Sequence, residues 1–159
     1  MKVYFVGLKQ SLKHKNIVKK AVSAVVEKLC QPRNISVCVN FVDDEEIKNL
    51  NKQMRNVDKV TDVLSFPNFA IKAGEILDVN SVEAKLSSMN GKVMLGDMAI
   101  NLAQLARQAK DYNVTLECEL AKLVIHSALH LFGYDHIEDS DYELMKPIED
   151  EILNKMTKF

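Results

Sequence analysis

The 159-residue sequence predicts an α+β fold, a small mixed β-sheet packed against several helices. Three observations lead there. Short apolar, β-branched runs recur at 2–6, 35–42, 63–66 and 93–100, the mark of strands with at least one buried face. Between and after them, apolar residues repeat at three- and four-residue spacing, as in helices with one buried side. Near the end two histidines stand four apart, with a glycine three residues beyond the second. That spacing is one helix face followed by a helix stop.

Taken in order, residues 2–6 alternate polar and apolar side chains up to Gly7, a first strand. Over 16–30, Ile17, Val18, Ala21, Val22, Val25, Val26 and Leu29 form an amphipathic helix closed by Gln31-Pro32. Ile35, Val37, Val39 and Phe41 alternate through a second strand at 35–42. Asp43 caps a helix reaching about Met54, with Asp44, Glu45 and Glu46 at the positive end of its dipole. A short strand at 63–66 ends at Pro67. Residues 68–92, with Gly74, Gly91 and a Ser/Asn-rich middle, read as a long surface loop holding one helical turn around 82–89. A strand follows at 93–100, where Gly96 permits a bulge or a close approach. Helices at about 102–112, 115–132 and 139–158 complete the chain. No repeat, low-complexity tract or linker interrupts it. Residues 1–159 therefore read as a single domain with three or four strands in one sheet.

Composition narrows the function classes. Apolar residues make up 47% and charged residues 27%, ordinary values for a globular chain that buries a core without disulfides. Cys30, Cys38 and Cys118 are odd in number and lack knuckle spacing, which suits small buried hydrophobes in a reducing compartment. The N-terminal apolar run is too short for a signal peptide and no stretch reaches membrane-spanning length. The expectation is a cytoplasmic protein with no membrane contact. A net charge of −1 excludes a globally basic nucleic-acid-binding surface. Any polyanion is held by a local patch, for which Lys9, Lys13, His14, Lys15, Lys19 and Lys20 are the candidates. Taken singly, most of these lysines fit a solvated helix face better.

Most of the information sits at 126–136, His-Ser-Ala-Leu-His-Leu-Phe-Gly-Tyr-Asp-His. His126 and His130 share one helix face, and Gly133 lets the chain turn back so that His136 meets the same point. Three imidazoles suit zinc and leave a fourth position open, the feature that separates catalytic from structural zinc. The core stripe of this helix is Leu116, Leu120, Leu123, Ser127 and Leu131, with Thr115 or Asn113 as its cap. The histidine spacing makes it a metzincin-like zinc-binding helix. The glutamate that metallopeptidases place after the first histidine is absent, and Ser127 stands there instead. Metal is therefore expected without standard protease chemistry. His14 reads as an ordinary residue and Met145 as core.

Two more clusters are Arg55 with Thr61-Asp62-Val63-Leu64-Ser65-Phe66-Pro67, and Leu95-Gly96-Asp97. Together with 126–136, and in the same order over most of the chain, they resemble the bacterial YbeY family of zinc-dependent endoribonucleases. That family acts in ribosomal RNA maturation and ribosome quality control. Ser127 replaces the family's usual glycine, putting a hydroxyl where it is able to crowd the cleft. Val60 replaces the proline before Thr-Asp. The resemblance implies one Zn²⁺ ion on His126, His130 and His136, with water or substrate as the fourth ligand. It also implies a single-strand-specific endoribonuclease. Arg55 and His126 are then the candidate catalytic residues, and Arg55 and Ser65 the candidate substrate contacts. Arginine's planar fork matches a phosphate and stays charged at any working pH. Without a zinc site, a surface ion pair from Arg55 to Asp58 or Asp62 is the favoured reading.

Asp62 and Asp97 either orient a histidine through its other ring nitrogen or cap a turn. Ser65 and Thr61 either donate to a phosphate or serve turn chemistry, and Asp135 is open in the same way. The implied partner is single-stranded RNA, specifically ribosomal RNA within ribosomal particles, with no DNA expected. Attack by water and attack by the RNA's own 2′-hydroxyl both remain open. Two rival readings stand beside this one. One is a metallopeptidase, against which Ser127 speaks. The other is a non-catalytic ribosome-assembly factor whose zinc is sealed by a fourth ligand such as Cys118, about a turn out of reach along the helix.

Overall fold

The sheet has the strand order β1-β2-β5-β3, built from β1 (Lys2–Gly7), β2 (Ile35–Phe41), β3 (Val63–Pro67) and β5 (Lys92–Ile100), with β4 (Ser88–Met89) pairing the start of β5. The computed structural model describes residues 1–157. β1, β2 and β5 run parallel, whereas β3 and β4 lie antiparallel to β5. Among the described residues six helices accompany them: α1 (Leu12–Lys28), α2 (Asp44–Arg55), α3 (Val82–Leu86), α4 (Leu102–Asp111), α5 (Leu116–Leu131) and α6 (Asp139–Thr157). The α+β prediction with a small mixed sheet is therefore met.

Five strands, rather than three or four, make up the sheet. The additional one arises inside 68–92, expected as loop. Asn90 and Gly91 there take φ of 53° and 71°, the two left-handed residues of a tight hairpin between β4 and β5. The stretch is also pinned to the body of the fold. Gln31, buried, donates from its amide to the Glu75 carbonyl at 2.8 Å and accepts from the Leu77 N–H at 3.0 Å. α1 begins a turn earlier than its apolar period, because Ser11 caps it by accepting from the His14 N–H while lysines fill the first turn. Lys158, the expected end of the last helix, lies outside the described residues.

Gly96 meets both expectations placed on it. Ser36 pairs with Met94 but Val37 pairs with Gly96, so Leu95 is the additional residue of a bulge. A Cβ at Gly96 would lie 2.4 Å from the Phe66 carbonyl oxygen. The main core joins the inner faces of β2 and β5 to α1, α5 and α6. A second cluster, Val42, Ile47, Leu64 and Ala99, seats α2 on the opposite face beside β3. α5 is buried along most of its length, including Leu120, Leu123, Val124 and Leu131, and Met145 of α6 is buried against the core. The end of α5 thus rests on a rigid base.

Candidate metal centre and cleft

Local sequence chemistry starts and stops α5. The Thr115 hydroxyl accepts from the Cys118 N–H at 3.2 Å, and Glu117 and Glu119 occupy the first turn. At the other end Gly133 takes φ 85°. Its N–H donates to the His130 carbonyl at 3.0 Å, and the Tyr134 N–H donates to the Leu129 carbonyl at 3.1 Å. This pair of bonds is the Schellman stop. It also aims the Tyr134 carbonyl back at the helix, where it accepts from His130 Nδ1 at 2.7 Å. One glycine therefore ends the helix and orients a histidine. A Cβ on Gly133 would come within 1.8 Å of the Ile71 carbonyl oxygen, so the 68–92 segment packs on this turn.

His126, His130 and His136 converge. Each offers one nitrogen, and these atoms all lie within 4.8 Å of one another. The ring centroids are 4.5 to 5.2 Å apart. His126 Nδ1 faces a Glu149 carboxylate oxygen in α6, and the two Nε2 atoms of His126 and His130 stand 2.9 Å apart. Protons can be assigned from the partners. A carboxylate and a carbonyl only accept, so both Nδ1 atoms carry hydrogen. Both Nε2 atoms are then acceptors, and two lone pairs face each other with no donor between them. A divalent cation resolves that conflict, and three neutral imidazoles are a donor set zinc takes. Burial, with His126 nearby, pushes the His130 imidazolium below its ordinary range, which favours the neutral ring that ligation needs. The residues fit the metal.

In front of the triad lies a cleft of about 430 Å³ lined by Arg55, Ser65, Pro67, His130, Gly133, Tyr134, Asp135, His136 and Ile137. Arg55 is the last residue of α2 and is exposed. The alternative reading, an ion pair to Asp58 or Asp62, is not formed among the described residues. Asp58 faces Lys48 and Lys52 at 3.8 and 3.6 Å, and Asp62 accepts from the Val63 N–H at 2.7 Å and the Thr61 hydroxyl at 3.2 Å. Asp62 and Thr61 are turn residues. Asp97 lies against Cys38, whose thiol burial and this carboxylate push upward in pKa, and no hydrogen bond ties it to a histidine. Asp135 accepts from the His136 N–H at 2.7 Å, again a turn bond.

Two readings change. Ser127 does not crowd the cleft: it is fully buried and its hydroxyl meets that of Ser65 at 2.7 Å, locking α5 to β3. Cys118 belongs to a separate groove with Ile17, Val114, Ala121 and Met156, away from the triad. The partner that sequence reasoning missed is Glu149. Its signal was a carboxylate one helical turn past buried Met145 and flanked by the core-packed Ile148 and Ile152, a polar residue where the stripe calls for an apolar one.

A model of the family described as Endoribonuclease YbeY matches residues 7–157. A protein of that name from Caldicellulosiruptor bescii is 39% identical over 140 residues, covering 88% of this chain and 85% of the relative. Another, from Clostridium kluyveri, is 39% identical over 132 residues, covering 81% and 79%. The solution structure of a Thermotoga maritima protein superposes with a TM-score of 0.57 at 28% identity, over 97% of this chain and 91% of that one. With the histidine geometry, the Gly133 stop and the match along nearly the whole sequence, the chain belongs to the YbeY endoribonuclease family.

Proposed function

We propose that this chain is a zinc-dependent endoribonuclease that cuts single-stranded RNA in ribosomal RNA maturation and ribosome quality control. The observation carrying this reading is one cleft lined by Arg55, which has no ion pair among the described residues, and by His130 and His136, two members of the histidine triad. When bound, zinc supplies a Lewis acid that polarises a phosphoryl oxygen or a water molecule. His126, His130 and His136 would hold it as neutral ligands. Glu149 and the Tyr134 carbonyl hold the first two rings by Nδ1, which leaves each Nε2 to act as the ligand atom. Arg55, free of any carboxylate among the described residues, clamps the phosphate and stabilises the added negative charge of the transition state. Ser65 borders the phosphate path, its hydroxyl shared with Ser127. No carboxylate follows His126, so the proton acceptor of the peptidase scheme is missing, and buried Ser127 does not replace it.

Family membership and the relatives' names support RNA as substrate; a ribosomal particle as partner and the cytoplasm as location follow from that reading. Among the described residues, no helix is long and apolar enough to cross a membrane. The test pairs metal analysis with cleavage of a defined single strand by highly purified protein. Wild type should carry about one zinc and cut, His130→Ala should lose both metal and cutting, and Arg55→Ala should keep metal but cut at least about a hundredfold more slowly. Cleavage undiminished in His130→Ala would remove the triad from the reaction.

A further inference from the structure

Six of the chain's 21 lysines and arginines, and none of its 22 aspartates and glutamates, fall within residues 1–26. The net charge of −1 conceals this asymmetry. The structure folds that segment into β1, the edge strand of the sheet, and most of α1 beside it. Within the segment Lys13 meets Glu117, and outside it Lys28 meets Glu151 while Lys48 and Lys52 meet Asp58. Lys2, Lys15 and Lys19 form no ion pair among the described residues, and they approach aromatic rings instead. Lys2 Nζ stands 4.6 Å from the Tyr4 ring, and Lys15 and Lys19 Nζ stand 5.6 and 5.8 Å from the Phe5 ring. Phe5 is itself stacked on Phe41 with centroids 6.2 Å apart, so the platform is firm. Tyr4 and Phe5 alternate on the two faces of one strand.

Resting on the nuclease reading, we propose that the β1–α1 edge is a second RNA-binding surface, holding the single strand at a distance from the cleft. Unpaired cations beside aromatic rings on an edge match the chemistry of sequence-tolerant single-strand binding, in which charge follows the backbone and bases stack. β1 lies three strand spacings, about 14 Å, from the cleft strand β3. A strand of several nucleotides reaches both places and a short one reaches only the cleft. The rival explanation is edge protection, in which lysines merely stop the strand from pairing with another molecule.

The experiment measures binding of the zinc-loaded full chain to a 2′-O-methylated single strand of about 16 nucleotides, checked intact by gel. Wild type is compared with Lys15→Gln/Lys19→Gln, and with Lys85→Gln/Lys110→Gln, which removes equal charge from exposed positions elsewhere. The first variant should bind about tenfold more weakly at low salt, with a log–log salt slope shallower by about 1.4, since each phosphate contact on a single strand contributes about 0.7. Binding of a four-nucleotide strand should stay unchanged, as should the control pair. Equal affinity and slope in wild type and Lys15→Gln/Lys19→Gln would leave the lysines an edge-protecting role only and overturn the proposal, leaving the nuclease reading intact. Failure of wild type to bind any RNA would overturn both.

Discussion

Replacing Glu149 is the sharpest probe of how the fold serves the metal. The carboxylate accepts from His126 Nδ1 and is mostly buried, its side chain 14% exposed. In Glu149→Ala the ring loses the partner that keeps hydrogen on Nδ1 and a lone pair on Nε2. It is free to adopt the other tautomer or to rotate. Removing such a partner weakens metal affinity about 10- to 100-fold, equivalent to about 1.4–2.8 kcal/mol. That agrees with the worth of one hydrogen bond to a charged group, about 1.5–3 kcal/mol. Glu149→Gln keeps an acceptor oxygen in place and should recover most of the loss, which a simple packing defect would not allow. Zinc affinity is read by competition with a chromophoric chelator, with circular dichroism to verify folding. A folded Glu149→Ala chain that binds zinc as tightly as wild type would refute the assignment of the Nδ1 proton and the orienting role built on it.

Other expectations follow from the same geometry. Gly133→Ala forces a side chain into a left-handed backbone and onto the Ile71 carbonyl; thermal melts should show a loss of at least about 1–2 kcal/mol, together with weaker zinc binding as Tyr134 shifts. Ser127→Ala removes the buried bond to Ser65 and should cost about 1 kcal/mol in denaturant unfolding while zinc content stays at wild-type level; loss of the metal would place Ser127 in the site after all. The lowered pKa of His130 means the unfolded chain binds the extra proton first. Metal-free protein should therefore lose stability as pH falls below about 6.5 and down to the folded-state value. Melts of His130→Gln should show a flatter pH profile, and identical profiles would count against this linkage.

Helix and strand identity, and the triad itself, were legible because they are written locally. Thr115, the Leu120–Leu131 stripe, the i,i+4 histidines and Gly133 lie within one stretch of chain, and helical geometry converts their spacing into position. The missed features are of two kinds. The β4–β5 hairpin was marked by Asn90-Gly91 but hidden in a segment of weak periodicity. The partners of the site are remote in sequence: Glu149 is 23 residues from His126 and Ser65 is 62 from Ser127. Such distant meetings depend on how α6 and β3 pack against α5, which periodicity does not encode.

By itself the sequence determined the element types, the metal-binding helix and the family resemblance, since each rests on short-range backbone geometry or ordered motifs. Tertiary structure alone decided that Asp62 and Asp135 serve turns, that Ser127 is buried against β3, that Arg55 shares a cleft with His130 and His136 and has no ion pair among the described residues, and that Glu149 meets His126. A side chain's partner is chosen by which surfaces meet in the folded core, and that choice is made by packing between elements rather than within them.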